Sequence, residues 1–237
     1  LYEAGTTPDG FPYFAMEFMP GDTLGEYCRR KRLGIRERVA LFVQVCQGVQ
    51  HAHQKGLIHR DLKPNNLLVG EIGGQVVPKV IDFGIAKALD DPLTESGELT
   101  GASAIGTPSY MSPEAFAAQP DLDTRTDVYS LGIVLYELLA GVRPNDLSGM
   151  ALIRAHAAGE RPEPPRMTQR VLSLDEDLGN DIAEVRGLTR TQLAQQLRDD
   201  LDWIVGRAIA DDRNLRYPTV ADLAADLNRY LNNQAVE

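Results

Sequence analysis

The sequence has little cysteine, no long apolar run and no excess of positive charge. Its two cysteines, Cys28 and Cys46, are too few for a disulfide framework and lack metal-site spacing. Nor do His51 and His53, two apart on a predicted helix, share the face that a metal site needs. No segment reaches the roughly 18 apolar residues that cross a bilayer, and no secretory signal opens the chain. The formal net charge of −10 argues against nucleic-acid binding. We therefore expect a reduced, cytoplasmic domain with no nucleic-acid partner and no membrane contact of its own.

The composition is that of a soluble globular protein. Hydrophobic residues make up 43% and charged residues 24% of the 237 residues, enough to build a core. Residues 1–19 carry two short β segments around a Pro-Asp-Gly turn, after which the pattern takes the period of helices. Val39, Phe42 and Cys46 lie on the apolar stripe of a long helix that is predicted to end near Lys55.

The later part of the chain is predicted to be helical. Residues 128–140 are apolar on every side, which is typical of a helix buried at the centre of a domain. Further helices are predicted at 148–158, at 197–209 as one continuous element, and at 220–231. Residues 166–196 are polar and weakly periodic, and their pattern indicates no chemistry.

Two motifs dominate the sequence. The first, His-Arg-Asp-Leu-Lys-Pro-Asn-Asn, occupies residues 59–66, and the second, Asp-Phe-Gly, occupies residues 82–84. Either tripeptide alone would mean little, but eight specified positions followed by the second motif are very improbable by chance. Their order supplies the two acids, the amide and the lysine that a phosphoryl-transfer site needs.

The two motifs resemble the catalytic loop and the metal-binding loop of eukaryotic-type protein kinases. Residues 106–114 are similar to the segment that closes the activation loop, with Ser-Pro-Glu in place of Ala-Pro-Glu. The chain is therefore identified as a bacterial-type member of the serine/threonine protein kinase family. The resemblance implies an α+β, protein-kinase-like fold. Residues 1–19 would be a two-strand remnant of the N-terminal lobe with the hinge, and residues 20–237 the mainly helical C-terminal lobe.

The resemblance implies a role for each polar residue of the motifs. Asp61 would orient the acceptor hydroxyl and take its proton, Lys63 would offset charge on the γ-phosphate, and Thr107 would hydrogen-bond both. Asn66 and Asp82 would be the Mg²⁺ ligands, because their oxygens are hard donors. The implied function is transfer of the γ-phosphate of ATP, with Mg²⁺, to Ser and Thr hydroxyls of protein substrates in signal transduction.

Residues 15–21 resemble the hinge that holds the adenine ring. Met16 would be the gatekeeper at the back of the pocket, and backbone groups of Glu17 and Met19 would hydrogen-bond the adenine edge. Leu68 would pack beneath the ring. The complete set implied for the nucleotide is Met16, Glu17, Met19, Lys63, Asn66, Leu68 and Asp82.

The resemblance also assigns supporting roles. Glu114 would be a buried carboxylate paired with the distant Arg216, because a buried charge needs a partner. Asp127 would hold the backbone of the catalytic loop in place. By residue type His59 looks like a ligand or a base, but the resemblance places it in the core beside Phe83.

A long polar segment, residues 85–113, predicts a surface loop with a regulatory role. Arg60 precedes the catalytic aspartate, which in this family often signals control by phosphorylation, since the arginine pairs with a phosphate on the loop. The candidate acceptors are Thr94, Ser96, Thr100 and Ser103. Self-association of the protein for autophosphorylation is a further expectation.

The sequence lacks several N-terminal elements of the family. No G-x-G-x-x-G loop precedes the hinge, and there is no V-A-I-K lysine and no helix with its glutamate partner. We therefore expect the 237-residue chain alone to have little or no activity. In similar bacterial proteins the domain is often fused to a membrane segment or to sensor domains.

Two alternative functions remain at this point. A pseudokinase would keep the fold as a scaffold without the chemistry, but the intact Asp61, Lys63, Asn66 and Asp82 argue against it. A kinase-fold enzyme acting on small molecules is the other alternative. The segment that ends at Glu114 favours the protein-kinase branch, because it builds a surface on which a peptide docks.

Overall fold

The described part of the chain holds two small antiparallel sheets. The computed structural model describes residues 2–7, 9, 11–15, 17–83, 108–145 and 163–237. In the first sheet β1 (Glu3–Thr6) pairs with β2 (Pro12–Ala15), so that Glu3 lies opposite Ala15. The two short β segments predicted within residues 1–19 are thus present, and the second of them ends at Ala15.

The second sheet has the strand order β3, β4, β5. It consists of β3 (Asp22–Thr23), β4 (Leu67–Ile72) and β5 (Gln75–Val80), all antiparallel. Gly73 and Gly74 connect β4 to β5 with φ angles of +60° and +79°. A two-residue hairpin turn of type I′ requires positive φ at both positions, which glycine adopts without strain. Gly73 and Gly74 therefore allow the tight turn between these two strands.

Helices make up most of the described residues. They are α1 (Leu24–Arg30), α2 (Ile35–Gln54), α3 (Pro113–Phe116), α4 (Arg125–Ala140), α5 (Met167–Ser173), α6 (Glu176–Glu184), α7 (Arg190–Leu197), α8 (Asp200–Ala208) and α9 (Val220–Leu231), with 3₁₀ turns at Pro64–Asn66 and Pro108–Tyr110. The α+β composition predicted from the sequence is confirmed.

Side-chain caps fix where several helices begin. The Thr23 hydroxyl accepts a hydrogen bond from the Glu26 N–H, and the Glu26 carboxylate accepts one from the Thr23 N–H, at 3.3 and 3.1 Å. Thr189 starts α7 in the same way, and Thr219 starts α9 with Asp222. Each such cap stabilises its helix by about 1 kcal/mol.

The core is built around α4. Thirteen of its 16 residues are buried, as its all-round apolar pattern predicts. The apolar stripe of α2, including Val39, Phe42 and Cys46, is fully buried, and α2 packs along α9. Burial raises the pKa of the Cys46 thiol, so this cysteine is an inert core residue.

Three expectations about the C-terminal half need comment. Residues 166–196, which showed little periodicity, form α5, α6 and most of α7. This segment is tied to α8 by the hydroxyl of Thr168, which donates to the Asp202 carboxylate at 2.6 Å. The helix expected at 197–209 is confirmed as α8, but it begins at Asp200 rather than at Leu197, because Asp199 has a φ of +64° and separates α7 from α8. The helix predicted at 148–158 lies outside the described residues, and the division of the chain at residue 19 stays a prediction.

Candidate active site

The catalytic loop is held by one buried carboxylate. Asp127, in the first turn of α4, is fully buried and accepts hydrogen bonds from the backbone N–H groups of His59 and Arg60 at 2.8 and 2.9 Å. His53 Nε2 lies 2.7 Å from the same carboxylate. Arg60 has a φ of +63°, a left-handed conformation that costs a non-glycine residue about 1–2 kcal/mol. The expected role of Asp127, holding the loop backbone, is confirmed by these contacts.

Asp61 and Lys63 lie together at the mouth of this loop. The Lys63 ammonium donates to the Asp61 carboxylate at 2.7 Å, and both side chains remain partly exposed, at 24% and 33%. The Asn66 amide donates to the backbone carbonyl of Asp61 at 2.8 Å. The three polar residues of the first motif therefore form one connected group that a substrate can reach.

Asp82 directly follows a residue that is bonded to the first motif. The Ile81 N–H donates to the Asn66 carbonyl at 2.9 Å, and Asp82 is the next residue along the chain. Asp82 is exposed and has a φ of +58°. The buried Asn66 side chain uses its NH₂ group on Asp61, and its amide oxygen accepts no hydrogen bond from the described residues.

The residues present fit Mg²⁺. A carboxylate oxygen and an amide oxygen are hard ligands, and Mg²⁺ commonly takes one or two protein ligands and completes its shell with phosphate oxygens and water. Among the residues that the structure describes, no cluster of three or more His, Cys, Asp and Glu side chains could hold a metal. Asn66 and Asp82 are thus suited to hold a metal shared with a phosphate, rather than a metal enclosed by protein.

His59 and Phe83 belong to the core, as expected. The His59 ring is fully buried, lies 4.8 Å from the Phe83 ring between centroids, and has its Nε2 2.8 Å from the Ile81 carbonyl. Its Nδ1 accepts from the Asp61 N–H at 3.3 Å. The imidazole therefore links the two motifs and has no free nitrogen for acid–base work.

The hinge segment packs closely on β4. A Cβ on Gly21 would lie 2.2 Å from the Val69 carbonyl oxygen, so only glycine fits there. The Met19 methyl group likewise occupies the space beside Gly70. Leu68 is half-buried on β4, and the exposed Glu17 carboxylate lies 3.5 Å from the Lys79 ammonium.

Some predicted residues lie outside the described part of the chain. They are the gatekeeper Met16, the threonine Thr107, and the candidate phosphorylation sites Thr94, Ser96, Thr100 and Ser103. The structure connects Asp61, Lys63 and Asn66 by hydrogen bonds, and the role of Asp82 stays a prediction.

A buried ion pair supports the segment that follows the loop. Arg216 donates to both oxygens of Glu114 at 2.6 and 2.8 Å, and the Thr126 hydroxyl adds a third bond at 3.0 Å. Burial alone would raise the pKa of Glu114, but the hydrogen bonds and charge of Arg216 outweigh it and hold that pKa below its ordinary value. The predicted pairing of these two residues is confirmed.

Three hydrogen bonds around the site were missed by the sequence reasoning. His53 was considered only as half of an unpromising metal pair, yet it hydrogen-bonds Asp127. The Tyr110 hydroxyl donates to Glu137 of α4 at 2.5 Å, and the Ser130 hydroxyl donates to the Tyr110 carbonyl at 2.8 Å. The position of His53 one turn before the first motif was the available signal, because that turn packs beside the loop.

Comparison with known proteins agrees with this geometry. The family profile described as "Protein kinase domain" matches residues 1–181. The chain belongs to the protein kinase family. The kinase fold expected from the motifs is thereby confirmed.

The relatives of this kinase chain include several bacterial serine/threonine kinases. It is 33% identical to "Serine/threonine-protein kinase PknB" of Mycolicibacterium smegmatis, with 99% of the chain and 33% of the relative covered. The protein of the same name from Mycobacterium tuberculosis H37Rv is also 33% identical, with 100% and 34% covered. "Probable serine/threonine-protein kinase PknB" of Bifidobacterium longum is 33% identical, with 93% and 28% covered. The kinase chain thus spans about a third of the length of these curated relatives. Within its described residues, none of the helices has both the length and the apolar character needed to cross a membrane.

Proposed function

We propose that this chain forms the substrate-binding and catalytic part of an ATP-dependent protein serine/threonine kinase. The observation that supports it best is the connected group of Asp61, Lys63 and Asn66, with Asp82 one residue beyond Ile81, whose N–H donates to Asn66. Relatives whose names state serine/threonine kinase activity, matched over almost the whole chain, point the same way. We further propose that the protein acts in the cytoplasm.

The partly exposed Asp61 carboxylate is the proposed base. It accepts a hydrogen bond from the Ser or Thr hydroxyl and aims that oxygen at the γ-phosphorus of ATP. As the new O–P bond forms, the bond from the γ-phosphorus to the bridging oxygen breaks, ADP leaves, and the hydroxyl proton passes to Asp61. Lys63, 2.7 Å from Asp61, is placed to offset negative charge on the transferred group, and Thr107 is proposed to hydrogen-bond both.

The nucleotide and metal are assigned to the residues around this group. Asn66 and Asp82 are proposed to hold Mg²⁺, which when bound offsets charge on the phosphate oxygens. Lys63 is proposed to contact the γ-phosphate. The adenine ring is assigned to the backbone of Glu17 and Met19, with Met16 behind it and Leu68 beneath it; these residues precede or lie on β4.

A protein substrate is favoured over a small molecule by the anchoring of residues 108–116. Tyr110 is bonded to two residues of α4, and Glu114 of α3 is fixed by Arg216. Such a rigid surface next to the base suits an extended peptide. A scaffold without chemistry would have no need of the intact base, cation and metal ligands.

Control by phosphorylation is proposed through Arg60. This residue is exposed next to the base, and its backbone is fixed by Asp127. A phosphate on Thr94, Ser96, Thr100 or Ser103 would give it a partner. One copy of the protein phosphorylating another is the proposed source of that phosphate. Mass spectrometry of active protein that finds residues 94–103 unmodified would count against this regulation.

The test of the function is a transfer assay with radiolabelled ATP and a generic basic protein substrate. The full-length gene product should transfer phosphate to Ser and Thr, and Asp61→Asn should lower kcat by at least about 100-fold, the scale of a lost general base. Aminoglycosides and sugars should not be phosphorylated. The 237-residue chain alone should be nearly inactive, because it lacks the glycine-rich loop and the lysine that position phosphates. Transfer to a sugar but not to protein would contradict the proposal.

A further inference from the structure

A cavity lies next to the catalytic loop but apart from the nucleotide site. Its volume is about 520 Å³, and it opens between α1, the C-terminal end of α4, and α6. Pro64, three residues after Asp61, contributes to its wall. Arg38 of α2 and Arg186, which follows α6, also line it.

Both arginines are buried without a carboxylate partner. Arg38 is 3% and Arg186 is 7% exposed, and no described Asp or Glu lies within ion-pair distance of either guanidinium. Arg38 donates three hydrogen bonds, to the carbonyls of Leu33, Leu138 and Cys28. Arg186 donates two, to the carbonyls of Ile182 and Leu138, and its Nε–H has no acceptor.

Helix capping explains only part of this arrangement. Both guanidiniums donate to the Leu138 carbonyl near the C-terminus of α4, where positive charge is favourable. A guanidinium has five N–H donors, so the described contacts use about half of the donors of the pair. Burying two cations side by side is costly. Burial and the nearby charge of Arg38 lower the pKa of Arg186 to about 9.

The acidic residues of the cavity wall are engaged elsewhere or lie at its edge. The Glu26 carboxylate caps α1 through Thr23, and the Glu137 carboxylate accepts from Tyr110. Asp181 is exposed on α6, and Arg29, also exposed, adds positive charge at the rim. The buried guanidinium groups of Arg38 and Arg186 are therefore available to an anionic ligand that enters the cavity.

We propose that this cavity binds an anionic side chain of the protein substrate, a carboxylate or a phosphorylated residue, through Arg38 and Arg186. The inference rests on the proposed kinase function and specifies its substrate class. Pro64 lies at most about 11 Å from Asp61 between Cα atoms, because consecutive Cα atoms are 3.8 Å apart. An extended peptide whose acceptor hydroxyl meets Asp61 therefore reaches the cavity about three to four residues away.

The test is a peptide series with one central serine and a single variable residue. Glutamate, phosphoserine or glutamine is placed in turn at each position two to five residues from the serine, on either side. With the full-length gene product, one or two positions should show a kcat/KM about tenfold higher for the anionic residue than for glutamine, the scale of a charge-assisted hydrogen bond. Comparison of glutamate with phosphoserine tells which anion the cavity prefers.

Variants of the protein assign the preference to the two arginines. In Arg38→Gln and Arg186→Gln the ratio of the anionic to the glutamine peptide should fall to near one. Arg190→Gln is the matched control, because Arg190 also donates to backbone carbonyls in this region but does not line the cavity. In the Arg190→Gln variant the ratio of kcat/KM between the anionic and the glutamine peptide should stay about tenfold.

Binding without turnover separates this inference from the proposed function. Fluorescence anisotropy of labelled peptides on the 237-residue chain, with no ATP, should show the same preference for the anionic residue. Equal binding and equal rates for glutamate, phosphoserine and glutamine at every position would overturn the inference, whatever the activity. A preference that survives in both arginine variants would also overturn it. Absence of any transfer by the full-length product, with the binding preference intact, would instead contradict the kinase function.

Discussion

The carboxylate of Asp127 makes three hydrogen bonds, to residues of the catalytic loop and to the end of α2 that precedes it. Two are backbone N–H groups, of His59 and Arg60, and the third comes from His53. An ionised carboxylate suits this position because both of its oxygens accept hydrogen bonds and it has no donor of its own. It also offsets the cost of the left-handed backbone at Arg60.

Asp127→Asn tests this arrangement with almost no change in volume. The asparagine NH₂ group cannot accept, so at least one of the three donors faces another donor inside the core. We expect a loss of about 1–3 kcal/mol in the free energy of unfolding, the cost of an unsatisfied buried polar group. Urea denaturation of the 237-residue chain measures it. Asp121→Asn is the control, since Asp121 pairs with Arg213 at the surface and should change stability by less than about 0.5 kcal/mol. Equal effects of the two variants would contradict the role given to Asp127.

The pair of Glu114 and Arg216 gives the second prediction at this scale. Glu114→Ala leaves the fully buried Arg216 guanidinium without its partner, and we expect a loss of about 3–5 kcal/mol. Glu184→Ala breaks a pair with Arg32 in which both side chains are mostly exposed, and should cost at most about 0.5 kcal/mol. Differential scanning calorimetry on both variants makes the comparison. A loss below about 1 kcal/mol for Glu114→Ala would mean that Arg216 finds another partner.

At the scale of elements, the helix that the apolar period predicted to begin at Leu197 begins three residues later. Leu197 ends α7, and α8 begins at Asp200. Asp199 between them has φ +64° and ψ −101°, a region of backbone space that essentially only glycine visits without strain. Hydrophobic periodicity shows which face of a helix packs on the core. Both helices turn the same face to the core, so the periodicity does not reveal the break between them.

Asp199→Gly should therefore be better tolerated than Asp199→Ala. Glycine relieves the backbone strain, whereas alanine keeps it, and the Asp199 side chain makes no capping bond that either variant would lose. We expect the glycine variant to be more stable than the alanine variant by about 1 kcal/mol. Chemical denaturation of the two proteins measures the difference. The reverse order would show that the two helices join in solution.

At the scale of the whole molecule, the sequence predicted functional residues best where they lie close together in one segment of the chain. Asp61, Lys63 and Asn66 were found because their spacing in one loop is itself the signal. The two short β segments near the N-terminus were predicted from their pattern and the turn between them, and the buried α4 from its all-round apolar period. The bonds of Arg38 and Arg186 to one carbonyl were not predicted, because backbone acceptors leave no mark in a sequence and the two arginines are far apart along the chain.

The free energy of unfolding of the whole molecule depends on pH, and Glu114 contributes to that dependence. Because its pKa in the folded state is below the ordinary value of 4.5, its stabilisation is full above about pH 4.5 and is lost as the pH falls through the folded-state pKa. Glu114→Gln removes this titration. We expect the stability gap between the parent chain and this variant to narrow from pH 6 to pH 3, as measured by urea denaturation at each pH. A gap that stays constant over this range would contradict the lowered pKa.

The buried helix α4 has a consequence for substrate choice. Asp127 near its start fixes the catalytic loop, and Leu138 near its end accepts from the two cavity arginines. At 1.5 Å per residue these two points are about 16 Å apart along one rigid rod. The helix therefore keeps the catalytic loop and the proposed anion site at a fixed separation, and we expect the preference for an acidic residue to be confined to one or two positions of the peptide.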